Sequence, residues 1–267
     1  RSSNGRIFHG GSWRDEQEWP LERTSWTNFY ISNNGLLSTE IPTISGSSTS
    51  YDFDPNSPVP SIGGNVSSLT ELGSMPPGLT DPGLVSRTTR AVDLMSPGGF
   101  DQVEAPQFLG CRPPYLPLGS RPDVLVFETE PLESSLEITG PIEVRLWISS
   151  DAPDTDFTAK LIDVYPPSKW YPNGYALNIT DSIVRMRYRN GREVAELFNP
   201  GSIEEITITL YPTSNLFAAG HRVRLDISSS NFPRFDVNPN TGEPIGFNRQ
   251  QKIAANTVFH DIDRPSH

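Results

Sequence analysis

Cys111 is the only cysteine in this 267-residue chain, so no disulfide forms within it, and no Cys/His spacing resembles a zinc site. That poverty fits a reducing cytoplasm, the compartment expected here, though a secreted chain without disulfides reads the same way. Positive charge is scarce too: 21 Lys and Arg face 32 Asp and Glu, a formal net charge of -11, with no basic cluster. Such a surface repels phosphate backbones and argues against nucleic acid as a partner. Its acidity is otherwise an ordinary solubility feature. No run of about 18 apolar residues occurs, which argues against a membrane span. Punctuation is what the chain has in plenty. With 26 prolines and 21 glycines, long helices are interrupted everywhere and short strands joined by turns are favoured.

The clearest strands lie in the second half. In "IEVRLWI", Ile142, Val144, Leu146 and Ile148 alternate with Glu143, Arg145 and Trp147, a period of two. "EITITLY" does the same with Ile206, Ile208 and Leu210. "RVRLDIS" puts Val223, Leu225 and Ile227 inward and Arg222, Arg224 and Asp226 outward. "IVRMRYR" sets Val184, Met186 and Tyr188 against three arginines, while "FTAKLIDVYP" and "PDVLVFETEPL" read as more fully buried strands. Earlier, "WPLERTSWTNFYIS" predicts a strand with an aromatic face anchored by Trp26 and Phe29/Tyr30. Strands follow strands without helical patterns between them, so the expected fold is all-β: a jelly-roll-like antiparallel β-sandwich of galactose-binding-like type. From about Pro55 to Pro122 the chain is a long loop-rich insertion. Its Ile62, Val66, Phe100, Phe108 and Tyr115 require that it pack on something.

A catalytic centre is harder to find. No serine has glycine at both minus two and plus two, so there is no Gly-x-Ser-x-Gly elbow; Ser12 and Ser48 have only the first glycine. Of the histidines, His9 and His267 lie near the ends, and His221 in "AAGHRV" opens a strand, where a structural hydrogen bond is expected. "SSDAPDTDF" offers Asp151, Asp154 and Asp156, but without the glycine and the twelfth-position carboxylate of an EF-hand. It reads as a turn whose aspartates accept backbone N–H groups. No metal and no cofactor is expected.

Several stretches together carry a family likeness: "WRDEQEWPLERTSWTNFYIS", "DPNSPVPSIGG", "SRPDVLVFETEPLESSLEITGPIEVRLWISSDAPDTDFTAKLIDVYP", "DSIVRMRYR", "YPTSNLFAAGHRVRLDISSSNFPRFDVNPNTG" and the terminal "DRPSH". In this order, from about Phe8 to His267, the chain resembles the C-terminal jelly-roll domain of the cocaine esterase / X-Pro dipeptidyl-peptidase / α-amino acid ester hydrolase family. The resemblance implies a partner: an α/β-hydrolase domain bearing a Ser-His-Asp triad, upstream in the same precursor or on a separate chain. Residues 1–12 then correspond to the end of that domain and 13–267 to the β-sandwich. No residue here inherits a triad role, and the substrate implied for the full enzyme is a small ester or amide. In cocaine-esterase-type members the loop after the matching Gly-Gly lends apolar residues to the acyl pocket. Here Gly63-Gly64 is followed by Asn65, Val66, Ser67 and Ser68, which makes Val66, Ser67 and Ser68 the candidate pocket wall and a more polar substrate the expectation.

"SSNFPRFDVNPNTG" remains open between two roles. As a corner, Pro233 ends strand pairing for want of an N–H, Phe232 and Phe235 plug the turn, and Arg234 and Asp236 fix it by a charged hydrogen bond. As a docking loop, Asn231, Phe232, Arg234 or Asp236 would face the hydrolase domain. A different class of function, an autonomous carbohydrate- or ligand-binding β-sandwich, would use a row of exposed aromatics, with Trp147, Trp170, Tyr171 and Tyr175 as candidates. An apolar patch left uncovered would also favour homo-oligomers.

Overall fold

The structure is a computed structural model and describes residues 12–65 and 95–267. Two sheets face each other. One has the order β1 (Tyr30–Ser32), β2 (Leu36–Ser38), β4 (Leu125–Glu128), β9 (Arg222–Ser228), β6 (Asp156–Tyr165), β7 (Tyr175–Arg185). The other has the order β3 (Ser48–Phe53), β10 (Ala254–Phe259), β5 (Leu136–Ser150), β8 (Glu204–Phe217). Among the described residues the named strands all pair antiparallel except β2 with β4. Helix there is limited to three short 3-10 turns. The expected antiparallel β-sandwich is what the chain forms.

The alternation read from the sequence builds the core. Val144, Leu146 and Ile148 on β5 and Ile206, Ile208 and Leu210 on β8 point into the space between the sheets. They meet Phe157, Ala159 and Leu161 on β6 and Val223, Leu225 and Ile227 on β9. Glu143 and Arg145, one residue out of step, stay exposed, as a period of two demands. β5 bends where Gly140, at φ 139°, precedes Pro141: the register with β8 shifts between Gly140 and Ile142. Pro141 has no N–H for the ladder, and a bulge is where a strand accommodates that.

The first sheet departs from the simple pattern. Arg224 and Asp226 do point away from the core, yet both are buried, because that face is covered rather than wet. Val59, Ile62, Phe108, Leu118 and Val124 from the loop-rich segment form a second apolar cluster, with Phe100 and Val126 packed against it. The sandwich therefore has a third layer. Beneath it Arg224 grips Asp226 through Nε and Nη2 at 2.6 and 2.8 Å.

Two expected strands fall short. "IVRMRYR" leaves the sheet at Arg185 and turns through a 3-10 helix at Met186–Tyr188. Its arginines are spent on ion pairs: Arg185 with Asp156, Arg187 with Asp154 and Arg189 with Glu204. Around "WPLERTSWTNFYIS" only Tyr30–Ser32 is strand. Phe29 packs against the core, but Trp26 is 69% exposed and anchors nothing.

His260, just past β10, ties the sheet to the preceding loop. Its ring nitrogens meet Ser47 Oγ and Thr49 Oγ1, each at 2.9 Å. Burial lowers the imidazole's pKa from its ordinary 6.5. The unfolded ring takes its proton first as pH falls, so the stability held above pH 6.5 declines until the folded ring is protonated too. His260→Gln should lower the melting temperature at pH 7 and flatten its decline between pH 7 and 5, measured against the parent chain by thermal unfolding.

Candidate functional site

The corner after β9 is built from short polar side chains. Ser228 Oγ hydrogen-bonds Thr158 Oγ1 at 2.7 Å, and Ser230 Oγ accepts the Val59 N–H at 2.8 Å. The chain then runs beside the 59–61 segment: Phe232 N donates to Val59 O at 2.9 Å and Ser61 N to Phe232 O at 2.7 Å. Pro233, after a cis peptide, offers no further donor.

Arg234 and Asp236 both make charged hydrogen bonds, and both partners lie on β7. Arg234 Nη1 pairs with Asp181 Oδ1, while Asn231 Nδ2 donates to Asp181 Oδ2 at 2.6 Å. Asn231 Oδ1 in turn accepts from Ser61 Oγ at 2.8 Å. The Arg234 guanidinium lies over the rings of Tyr211 and Phe235, at 5.7 and 5.3 Å. Asp236 pairs with Arg185 at 3.0 Å. Since side chains two apart share a face of a strand, Asp181 and Arg185 present one face of β7 to the two ends of the corner. Arg185 also holds Asp156 in two bonds of 2.9 Å, and Asn238 Nδ2 bridges Asp154 and Asp156 at 3.0 and 2.8 Å. Burial pushes the Asp156 carboxyl up to about 6, against the pull of Arg185 and Asn238.

The corner in turn holds the root of the insertion. Gly64 and Gly98 exchange backbone hydrogen bonds of 2.8 and 3.0 Å, and Asn65 Nδ2 reaches Thr180 Oγ1 at 3.1 Å. Arg234 Nη2 approaches the Asn65 carbonyl at 3.5 Å. Gly64 adopts φ 129°, and a Cβ there would sit 2.6 Å from Arg234 Nη1; glycine is what lets the backbone ride on the guanidinium. From below, Gln102 Nε2 donates to Ile62 O and Phe100 O at 2.9 and 3.0 Å, and Lys160 Nζ donates to Gln102 Oε1 at 2.7 Å. Burial lowers the Lys160 pKa, with the nearby Asp181 and Asp226 opposing it. A cavity of about 10 Å³ beside these groups is about the size that holds one water.

Of the residues singled out from the sequence, the structure thus joins Asn231, Phe232 and Arg234 to the Gly63–Asn65 stem, and places Asp236 on a separate ion pair. Val66, Ser67 and Ser68, next along the chain, lie outside the described residues, as does His9. Asp181, Ser61, Gln102 and Lys160 were not anticipated. The signal was present for two of them: Lys160 in "FTAKLIDVYP" and Asp181 in "ALNITDSIV" are charges among residues that read as strands, and a strand that buries a charge must pair it.

Among the described residues the histidines form no triad. His221 Nδ1 meets Asp163 Oδ1 at 2.8 Å with Tyr165 against the ring, and among the described residues no serine bonds it. His260 has a serine, Ser47, but Thr49 occupies the nitrogen that an orienting carboxylate would need. The aspartate turn behaves as expected, with Asp151 accepting the Ala255 N–H and Asp154 the Arg187 N–H, both at 2.9 Å. Among the described residues no group of three His, Cys, Asp or Glu is placed to hold a metal ion. Nor do the four aromatics form a row: Trp147 is on β5, while Trp170, Tyr171 and Tyr175 cluster at the β6–β7 turn.

Residues 3–267 match the family described as the X-Pro dipeptidyl-peptidase C-terminal non-catalytic domain. The chain belongs to this family. Among curated proteins it is 37% identical to the cocaine esterase of Rhodococcus sp. (strain MB1 Bresler), a match covering 98% of this chain and 40% of the esterase. Among solved structures it resembles an aminopeptidase of a marine-sediment Thaumarchaeota archaeon (TM-score 0.71, 27% identity, 96% of this chain and 38% of that one). An α-amino acid ester hydrolase also matches (TM-score 0.66, 29% identity, 89% and 34%). The chain therefore spans about two fifths of the curated relative it matches, and the name of its family describes a domain without the catalytic residues.

The buried ion pair under the stem yields a stability prediction. Arg234→Ala strips Asp181 of its cation in a site where both side chains are nearly inaccessible. Breaking such a pair from one side costs about 3–5 kcal/mol, so the urea midpoint should fall accordingly. Gly64→Ala should also lower it, through the clash with the same guanidinium.

Proposed function

We propose that this domain is the non-catalytic partner of an α/β-hydrolase domain in a serine ester or amide hydrolase of the esterase, acylase or X-Pro dipeptidyl-peptidase type. The two pack together, and the segment leaving the Gly63–Asn65 stem forms one wall of the substrate pocket. The match over residues 3–267 to a family defined as non-catalytic carries this reading. The absence of a serine–histidine–carboxylate constellation among the described residues agrees with it. The nucleophile, its base and the oxyanion donors then belong to the partner: serine attacks the carbonyl, histidine takes its proton, and water clears the acyl-enzyme.

This chain's own contribution is geometric. Binding loops work when a rigid scaffold fixes their roots, and here the root is held by Arg234, Asp181, Asn231 and Gln102. Val66, Ser67 and Ser68 are the first residues beyond it, and their polarity favours a substrate more polar than an aryl ester. In solution the isolated 267-residue chain should release no nitrophenol from p-nitrophenyl acetate above the buffer rate and should take no label from a fluorophosphonate. The same chain joined to a hydrolase domain of its family should do both. Labelling of the isolated chain would overturn the reading.

A further inference from the structure

A further cavity, of about 310 Å³, lies between the loop-rich segment and the corner's Phe232. Pro58, Pro60, Leu109, Gly110 and Phe232 line it, together with Arg112, Arg121 and Glu104. Asn56 and Ser57 complete a lining that is partly apolar and partly polar, and its charges are unequal in availability. Arg121 is spent on Asp123, at 2.8 Å through both Nε and Nη2, and on the Ser57 carbonyl at 2.6 Å. Glu104 accepts the Leu116 N–H at 3.3 Å. Among the described residues the Arg112 side chain makes no hydrogen bond or ion pair, although Glu104 lines the same cavity. Of the lining, Leu109 is 40% exposed; nearby in the fold Leu116, whose carbonyl accepts the Glu104 N–H at 3.1 Å, is 49% exposed.

Resting on the functional reading above, we propose that this cavity is the socket in which the hydrolase domain seats: it receives an apolar side chain flanked by a carboxylate that pairs with Arg112. Three observations favour that occupant. About three fifths of the length of the related esterase lies outside the matched region, so a large partner is available. The Arg112 guanidinium, without a side-chain partner among the described residues and lining the cavity beside Leu109 and Phe232, complements a carboxylate beside an apolar group. Finally, Phe232 serves both places: its ring lines the socket while its backbone clamps Val59 and Ser61, two residues before Gly63. A domain seated here would therefore bear directly on the stem.

Amide hydrogen exchange followed by mass spectrometry, on the isolated chain and on the same chain joined to its hydrolase domain, tests the socket. Peptides covering 56–60 and 107–112 should exchange at least ~10-fold more slowly in the joined protein. Arg112→Glu, at an exposed position with no side-chain partner among the described residues, should leave the melting temperature of the isolated chain unchanged. It should weaken association with a separately supplied hydrolase domain by ~10-fold or more, about 1.4 kcal/mol. Protection of another face with 107–112 unchanged would overturn the socket and leave the functional reading standing. Protection of no face would overturn both. A self-associated isolated chain already protected at 107–112, or a small molecule recovered from the cavity, would reassign the site and also sink the proposal.

Discussion

One carboxylate organises the region that matters most. Asp181 is almost wholly inaccessible, and an ion removed from water is tolerated only when its oxygens are occupied. Arg234 takes one oxygen and Asn231 the other, and both come from the corner after β9. Satisfying Asp181 thereby draws that corner onto β7, and the corner carries Ser61 and the Gly63–Asn65 stem with it through Asn231 and Phe232. The stacking of Arg234 between Tyr211 and Phe235 leaves the guanidinium little freedom to choose another geometry. A planar fork suits this task better than an ammonium would.

The proposed division of labour rests on where such rigidity can be had. Where a third layer covers the outer face of β6 and β9, that sheet is packed on both sides, and loops rooted there have fixed starting points. On the proposed reading, a domain with no reactive constellation among its described residues would still govern which substrates a neighbouring serine meets, by holding a wall in place. The stem has two supports, the Arg234–Asp181 pair on one side and Lys160–Gln102 on the other. They act on the backbone of Ile62, Phe100 and Asn65 rather than on any side chain that would touch a substrate. Were the proposed wall's chemistry changed, its placement would stay fixed by these backbone contacts.

The sandwich could be read from residues alone wherever one strand face is wet. β5 and β8 show it: the period of two in "IEVRLWI" and "EITITLY" maps directly onto buried and exposed positions. The same reading failed on β9, where Arg224 and Asp226 keep the predicted direction but not the predicted exposure, because alternation reports which way a side chain points and not what covers it. Nothing in "RVRLDIS" announces a third layer contributed by residues some hundred positions earlier. Trp26 failed for the opposite reason, since its aromatic character made an exposed residue look like an anchor. At the corner the chain showed that charged hydrogen bonds would be made, but not with which residues, as Asp181 and Arg185 are fixed only once β6 and β7 pair.

The buried charges of the outer face raise the question of why the layers are not joined by apolar side chains throughout. Register supplies an answer. In a strand a slip of one residue exchanges its two faces, and β6 and β9 are apolar enough that a slipped β6 with purely hydrophobic outer residues would bury nearly as much surface. With Lys160 on β6 and Arg224 and Asp226 on β9, the slipped pairing would drive ions into the space now filled by Phe157, Leu225 and Ile227. The cost of an unpaired interior charge is several kcal/mol, comparable to the whole stability of an ordinary domain. The same groups that make the outer face expensive to cover thus confine the sheet to the one register in which Asp181 meets Arg234. In that register the stem stands where the corner can hold it.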